Sequence, residues 1–558
     1  MRKTAITLLL MTVAAGAYAQ NAYDALNFSE NNYEGSARTV AMGNAFTALG
    51  GDLGAVTINP AGSAVAGYSQ FAITPGLTFS TSTAQGVSPY DDGELPYFQK
   101  AMKSRMSRFS IPNFGLTFNW DTGRKSGLKS FTFGFILSKT ASWDEDIYAT
   151  GTNSTTSFMG QLAAETTLLL KEYNKNLLPG EEKYTYLDLI GDNTFNYMPW
   201  KNIIGYQSGM ISTYGGYDDQ FVGASELIFS NPYEENDEIA IGGPLEQTYG
   251  RRVTGGKYDY VFNLGANISD YLFLGMNLGI NTLEYNYDEY FKEVAVNPSD
   301  FEISFEDGTS MCFEKMRYNN GYSASGTGYF AKFGFIITPI AGLRIGGAIQ
   351  TPTVTTIEEK WGMSGFADFT GNSANQTVHT PEGEYRYRLR SPMRANIGAA
   401  YTFGSFGVIS ADYEVCNYGG MRFDGSYDDR DHFAEINQEI QSRFGAAHSF
   451  RLGLEVKPSS SVAIRAGYNV NGCAEKTNSW GEKIDPVYTQ NASFGLGFSS
   501  KGSFFADIAA RRTFLADELF MPYADYIYDA DGYVTAPTPE IRNHKSLWKM
   551  LLTVGWRF

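Results

Sequence analysis

The chain has 558 residues and a formal net charge of −17, with 43 basic against 60 acidic side chains, a balance that disfavours nucleic-acid binding, which rests on neutralising phosphates. Aromatic residues make up 15% of it and charged residues only 18%, with 60 Gly and 37 Tyr, which suits many strands with aromatic girdles better than an average soluble enzyme. Cys312, Cys416 and Cys473 are too few and too scattered for a disulfide framework or a zinc site.

In chain order, Arg2-Lys3, an apolar run from Ala5 to Ala15 and Ala17-Tyr18-Ala19 read as a secretory signal peptide over 1–19. The apolar run is too short to span a bilayer, and no later apolar run reaches spanning length. An exported soluble protein or a barrel remains. Residues 20–67 follow, rich in Gly, Ala and Ser around Asn59-Pro60-Ala61-Gly62. Asn59 is suited to cap a turn and Pro60 to begin it.

From Tyr68 the chain alternates with period two. In "KYDYVFNLGANIS" Tyr258, Tyr260, Phe262, Leu264, Ala266 and Ile268 share one face, opposite Lys257, Asp259, Asn263 and Asn267. The terminal stretch places Trp548, Met550, Leu552, Val554, Trp556 and Phe558 on one face. Fourteen such strands are predicted near 68–80, 111–121, 129–140, 255–268, 271–287, 326–338, 341–353, 384–403, 406–416, 448–457, 461–470, 490–499, 502–513 and 545–558. A soluble sandwich shows the same alternation in any one strand, but the connections here alternate long and short throughout. Short turns at one rim and long loops at the other are the pattern of an outer-membrane barrel. The expected fold is therefore all-β: a 14-stranded antiparallel transmembrane barrel over 68–558, in the cell outer membrane. The largest loop, 141–254, carries a predicted amphipathic helix with Leu162, Thr166, Leu169 and Tyr173 on one face. A lumen this wide leaks unless filled, so 20–67 is read as an N-terminal plug or hatch.

Strand eight places Arg386, Arg388 and Arg390 at alternate positions. Arginine at the lipid midplane costs ~2–4 kcal/mol, so the three are expected in the lumen, holding a ligand carboxylate or pairing with acids such as Asp52 or Asp412. Catalytic residues are not expected: His379, His432, His448 and His544 are dispersed, without H-x-x-H or G-x-S-x-G spacing. No metal or cofactor is expected. "DADGY" (529–533) and "SYDDRDHF" (426–433) read as solvated acidic loops rather than calcium sites.

"GSARTVAMGNAFTALGGDLGAVTINPAGSAVAG" resembles the N-terminal hatch of the outer-membrane long-chain fatty-acid transporter (FadL-like) family, including its Asn-Pro-Ala-Gly signature. "LRIGGAIQTPTVTTIEE", "SPMRANIGAAYTFG", "ADYEVCNYGGMRF" and "FRLGLEVKPSSSVAIRAGY" look like the same family, in its hydrophobic-compound branch, sometimes labelled haemin receptor. The resemblance implies passive transport of hydrophobic small molecules such as long-chain fatty acids, ending in a lateral exit beside a kinked third strand. It also implies that Phe558 is the signal read by the barrel assembly machinery. The expected partners are the hydrophobic ligand and outer-membrane lipid. The alternative is a FadL-like barrel serving as a binding or shuttle protein in secretion or surface assembly, with a protein partner at the extracellular loops.

Overall fold

The computed structural model describes residues 21–87, 98–229, 238–304, 308–371, 377–425, 430–478, 481–500, 503–528 and 532–558. The leader, the first three residues of "DADGY" and the start of "SYDDRDHF" lie outside the described residues.

Fourteen antiparallel wall strands close on themselves. They are β1 (Gln70–Val87), β2 (Met102–Asp121), β3 (Leu128–Ser142, resumed as Glu145–Asn153), β4 (Leu245–Ile268) and β5 (Leu272–Ala295). Next come β6 (Ser310–Ile340), β7 (Leu343–Gln350, resumed as Val354–Phe369) and β8 (Gly383–Arg390, resumed as Arg394–Phe403). The circuit continues through β9 (Gly407–Asn417), β10 (Ala446–Val456), β11 (Val462–Asn471), β12 (Thr489–Ser499), β13 (Phe504–Phe514) and β14 (Glu540–Arg557). Each pairs with its successor, and β14 returns to β1 from Gln70↔Arg557 to Val87↔Glu540. Closure removes the edges that lipid could not satisfy, except at one seam between β2 and β3.

The period-two pattern sorts side chains as the sequence predicts. Phe262, Leu264, Ile397, Phe450, Leu452, Phe494, Leu496, Met550 and Leu552 face outward, each between 41 and 57% exposed, while Lys257, Asn263 and Thr553 are buried on the inner face. A lipid-facing apolar band around a polar interior is the transmembrane-barrel arrangement, and it places the chain in the outer membrane. Short connections fall at one rim, as at Ser269–Asp270, where both residues take left-handed backbone. Asn267 donates to the Asp270 carboxylate there, 2.8 Å away.

Several strands run far beyond the predicted bounds. β4 and β5 each have 24 residues, about 80 Å at ~3.3 Å per residue, against the roughly 9–11 residues a tilted strand needs to cross a bilayer. The predicted loop 141–254 is thus largely wall at both ends. Between them α3 (Phe158–Lys175) and α4 (Trp200–Gln207) pack with Phe291, Phe313, Tyr318 and Tyr523 into an apolar cluster at the extracellular end. Leu162, Thr166 and Leu169 of α3 are buried, as its spacing predicts, and Tyr173 packs against the same cluster.

Candidate functional site

The hatch is built from short, well-capped turns. Asn21 and Asp24 form a capping box on α1 (Ala22–Ser29), and Ser36 caps α2 (Ala37–Ala41) by accepting from the Thr39 amide. Asn59 accepts from the Ala61 amide at 3.1 Å, with Pro60 opening the 3-10 turn Pro60–Ser63. The Asn59 side-chain amide then donates to the Thr47 carbonyl, 2.6 Å, and to the Phe335 carbonyl of β6, 3.0 Å. Asn59, Pro60, Ala61 and Gly62 are all buried.

A buried irregular chain carries backbone groups that must find partners, and here the wall supplies many of them. Asn263 donates to Pro60 O (3.0 Å), Asn277 to Val56 O (2.9 Å), Lys332 to Thr57 O (2.9 Å) and Arg344 to Leu49 O (2.8 Å). The Asp412 carboxylate accepts from the Thr47 amide at 2.8 Å. The wall is also thinned where the hatch touches it. A Cβ at Gly334 would collide with Asn59, one at Gly275 with the Pro60–Ala61 peptide, and one at Gly346 with Thr47.

Ion pairs complete the attachment. Glu455 holds Arg38 (2.9 Å) and Arg465 (2.6 Å), and Arg465 reaches Asp507 at 2.5 Å. Glu34 of the hatch pairs with Lys549 of β14. Burial alone would raise the Glu34 carboxyl, but the facing cations Lys549, Lys139 and Arg511 outweigh it and hold the group below its ordinary range. Glu414 is shared by Arg394 (3.1 Å) and Arg451 (2.7 Å), and Arg394 also donates to Ser29 O at 2.7 Å. The inward arginines are therefore already engaged by protein acids and carbonyls. At the top of the hatch, α1 and α5 (Arg430–Arg443, through Phe433) pack with Leu283, Ile357 and Tyr387 in an apolar lumenal cluster.

One seam interrupts the wall. β2 pairs with β3 only from Asp121↔Ser130 up to Asn113↔Ser138, and from Met102 to Pro112 it pairs among the described residues with β1 alone. β3 slips register against β4 between Lys139 and Ala141, breaks at Trp143–Asp144 and resumes as Glu145–Asn153, paired with β4. Glu145–Asn153 lie against β1 and β2 without a ladder to either. The Arg108 guanidinium and Asp144 carboxylate meet across the seam at 3.2 Å. On the β3 side the freed edge is taken by the hatch: Asn32 N donates to Thr140 O (2.6 Å) and Glu34 N to Lys139 O (3.0 Å). The hatch therefore fills a place in the sheet that β2 vacates.

One cavity opens at the seam and a second lies one strand away, across β2. The first, about 930 Å³, is bounded by Arg108 and Phe109 on one side and Lys139, Asp144 and Tyr258 on the other. The second, about 510 Å³, is an apolar crevice in the lipid-facing wall around Pro75, Leu77, Phe109, Phe494 and Met550. It sits at the bulge where β1 slips register between Thr74 and Gly76.

The arginine ladder requires a correction. Arg386, Arg388 and Arg390 are exposed on the outer face, whereas Tyr387 and Leu389 between them are buried in the lumenal cluster. The expected parity assumed one continuous strand over 384–403. Pro392 breaks it, since proline cannot donate to a ladder. After the break at Ser391–Met393 the inward face passes from odd to even positions, and Arg394 is buried. The three arginines lie in the upper segment, where the wall has left the bilayer, so the midplane cost does not apply. Asp52 and Asp412, their suggested partners, instead accept from Ser36 Oγ (2.6 Å) and from the Thr47 amide.

Phe558 is 65% exposed at the short-turn rim, its ring centroid 6.3 Å from that of Phe118, and its backbone exchanges hydrogen bonds with Ser69 (2.9 and 3.1 Å). The seam residues Arg108, Lys139, Thr140 and Asp144 escaped the sequence reading. The one local signal is "MKSRMSRFS", which keeps no clean apolar face.

Solved structures similar to this chain include a Pseudomonas aeruginosa FadL homologue, with 10% identity, a TM-score of 0.49, and coverage of 94% of this chain and 99% of that one. The Pseudomonas putida toluene transporter TodX is similar at 10% identity and TM-score 0.47, covering 95% and 100%. The Ralstonia pickettii toluene transporter TbuX is similar at 12% identity and TM-score 0.43, covering 94% and 99%. No family model and no curated protein matches the chain.

Proposed function

We propose that this barrel passively carries hydrophobic small molecules across the outer membrane. Cargo enters from the extracellular side, passes the apolar lumen above the hatch, and leaves sideways through the seam between β2 and β3. The observation that carries this reading is the vacated edge of β3, held at Lys139 and Thr140 by the hatch backbone. A plug that completes a strand pairing by a few bonds can release it without unfolding the barrel, because local opening costs far less than global unfolding. The apolar crevice one strand from the seam gives an emerging hydrocarbon a surface continuous with lipid.

The engaged state of Arg394, Arg451 and Arg465 favours recognition of the hydrocarbon rather than of a carboxylate. Long-chain fatty acids fit this route by their chains, as do neutral hydrocarbons, and a fatty acid and its alcohol should bind alike. Mass spectrometry of small molecules retained by gently extracted protein tests the proposal. A bound lipid or hydrocarbon is expected. A stoichiometric protein partner with no small molecule would instead favour a role in secretion or surface assembly.

A further inference from the structure

Outward-facing arginines at the top of the apolar band have no role in the route above. Below the break at Pro392, β8 crosses the bilayer as Arg394–Phe403, with Ile397, Tyr401 and Phe403 outward. The ladder begins just above. In register, Arg390 lies between Val354 and Arg422, and Arg388 between Thr356 and Asp424. Level with Arg390 and just beneath it the outer face is apolar, with Tyr329 65%, Val354 44% and Met393 53% exposed. Arg422 pairs with Asp424 at 3.2 Å, but Arg386, Arg388 and Arg390 form no ion pair among the described residues.

Beside and above the ladder the outer face changes character. The cavity of about 930 Å³ runs from the seam to Arg386 past Thr282, Ser325 and Thr356, level with Arg386 and Arg388, and a second of about 830 Å³ continues upward past Tyr290 and Asn319. The two share Thr254, Asn286, Ser323 and Lys360. Hydroxyls and amides with the Tyr290 ring beside them suit the hydroxyl groups and apolar faces of sugars, and Glu284, Glu358, Asp288 and Glu382 on the same walls can accept from sugar hydroxyls. Guanidinium forks suit phosphate bidentately and are more weakly hydrated than ammonium.

From bottom to top this face offers an acyl-chain belt, a row of guanidiniums at the interface and a polar trough on the extracellular side. We propose that it binds the phosphorylated saccharide headgroup of an outer-leaflet glycolipid, with phosphate on Arg386, Arg388 and Arg390 and sugar in the trough beside and above them. The order of the three features matches the order of the three parts of such a lipid. It also explains arginines on the outside of a chain whose net charge of −17 would otherwise repel an anionic surface.

The test uses the full chain in nanodiscs containing a lipid A-type glycolipid, bisphosphorylated or enzymatically dephosphorylated, and counts by native mass spectrometry the glycolipids retained after detergent exchange. Wild type should retain the phosphorylated form. The R386Q/R388Q/R390Q variant should lose retention by about tenfold or more, since each tenfold corresponds to ~1.4 kcal/mol, well within what several charge-assisted bonds supply. R252Q, on the outer face of β4, should retain as wild type does. Equal retention by the triple variant would overturn the proposal and mark the lipid as merely annular. Should the triple variant fail to fold, the wild-type comparison still decides: equal retention of the dephosphorylated glycolipid overturns the proposal, and preference for the phosphorylated one supports it.

Discussion

Asn59 of the hatch donates its side-chain amide to the backbone carbonyl of Phe335 in β6, 276 residues further along the chain and 3.0 Å away. The contact exists because residue 334 has no side chain: a Cβ there would occupy the space of the Asn59 carboxamide. A hatch turn and a wall glycine therefore form one fitted joint, and either half can be broken separately.

Asn59→Ala removes a cap worth ~0.5–2 kcal/mol together with the bonds to Thr47 and Phe335. Gly334→Val pushes the turn off the wall instead. Both should leave the yield of folded barrel unchanged and increase conductance to small polar probes, with the valine variant larger because its side chain displaces the Asn59 carboxamide and also crowds the Pro60 ring. Single-channel conductance at matched surface abundance checks this. Wild-type conductance in both would mean the joint does not hold the hatch.

Deleting Phe558 removes the last exposed aromatic of the rim and the residue whose backbone exchanges hydrogen bonds with Ser69. Folded barrel in the outer membrane should fall several-fold. Heat-modifiable mobility on gels reports the folded fraction, and an unchanged fraction at normal abundance would count against Phe558 as an assembly signal.

The extracellular cap should respond to pH through Glu226. Its carboxylate is buried and accepts from the Gly223 amide (2.8 Å) and the Tyr526 hydroxyl (3.3 Å), tying the 154–244 segment to the chain before β14. Burial raises the group to about 7, and the two hydrogen bonds only partly offset it. The undocked carboxyl ionises at its ordinary value near 4.5, so the docked state holds a proton the undocked state has lost between those values. Docking is thus strongest below about 4.5 and weakens as pH rises through 7. Hydrogen exchange at Phe158–Ala163, corrected for intrinsic rate, should show protection falling from pH 5 to pH 8, and Glu226→Gln should flatten that dependence. A slope that survives in the variant assigns it to another group.

Much of the wall was legible in the sequence. The number of strands and the membrane-crossing part of each followed from alternation, though not their upper bounds, and the rim assignment followed from the long and short connections, because both are local signals that a barrel imposes. Asn59-Pro60 was legible as a capped turn for the same reason. Two features were not. The arginine ladder changed faces because three residues around Pro392 shifted the phase of a strand read as continuous, and period-two reasoning reverses completely with such a slip. The resemblance implied an opening beside the third strand, but the residues of the seam were not legible in the alternation, because whether Met102–Pro112 has a neighbour on its far side depends on where β3 turns, 30 residues later. Asn263, Asn277 and Lys332 were predictable as inward-facing but not as partners of hatch carbonyls, since those contacts join segments some 200 or more residues apart.

The lateral route through the seam is tested most directly by closing it. With Cys312, Cys416 and Cys473 replaced by Ser, Arg108→Cys and Asp144→Cys place thiols where the seam's ion pair now sits, and a short reducible bis-thiol reagent can join them. Uptake of a radiolabelled hydrophobic compound into cells carrying the bridged protein should fall to the level of cells lacking it and recover on reduction, while each single-cysteine variant treated alike transports normally. Undiminished uptake by fully bridged barrel would contradict lateral exit between β2 and β3.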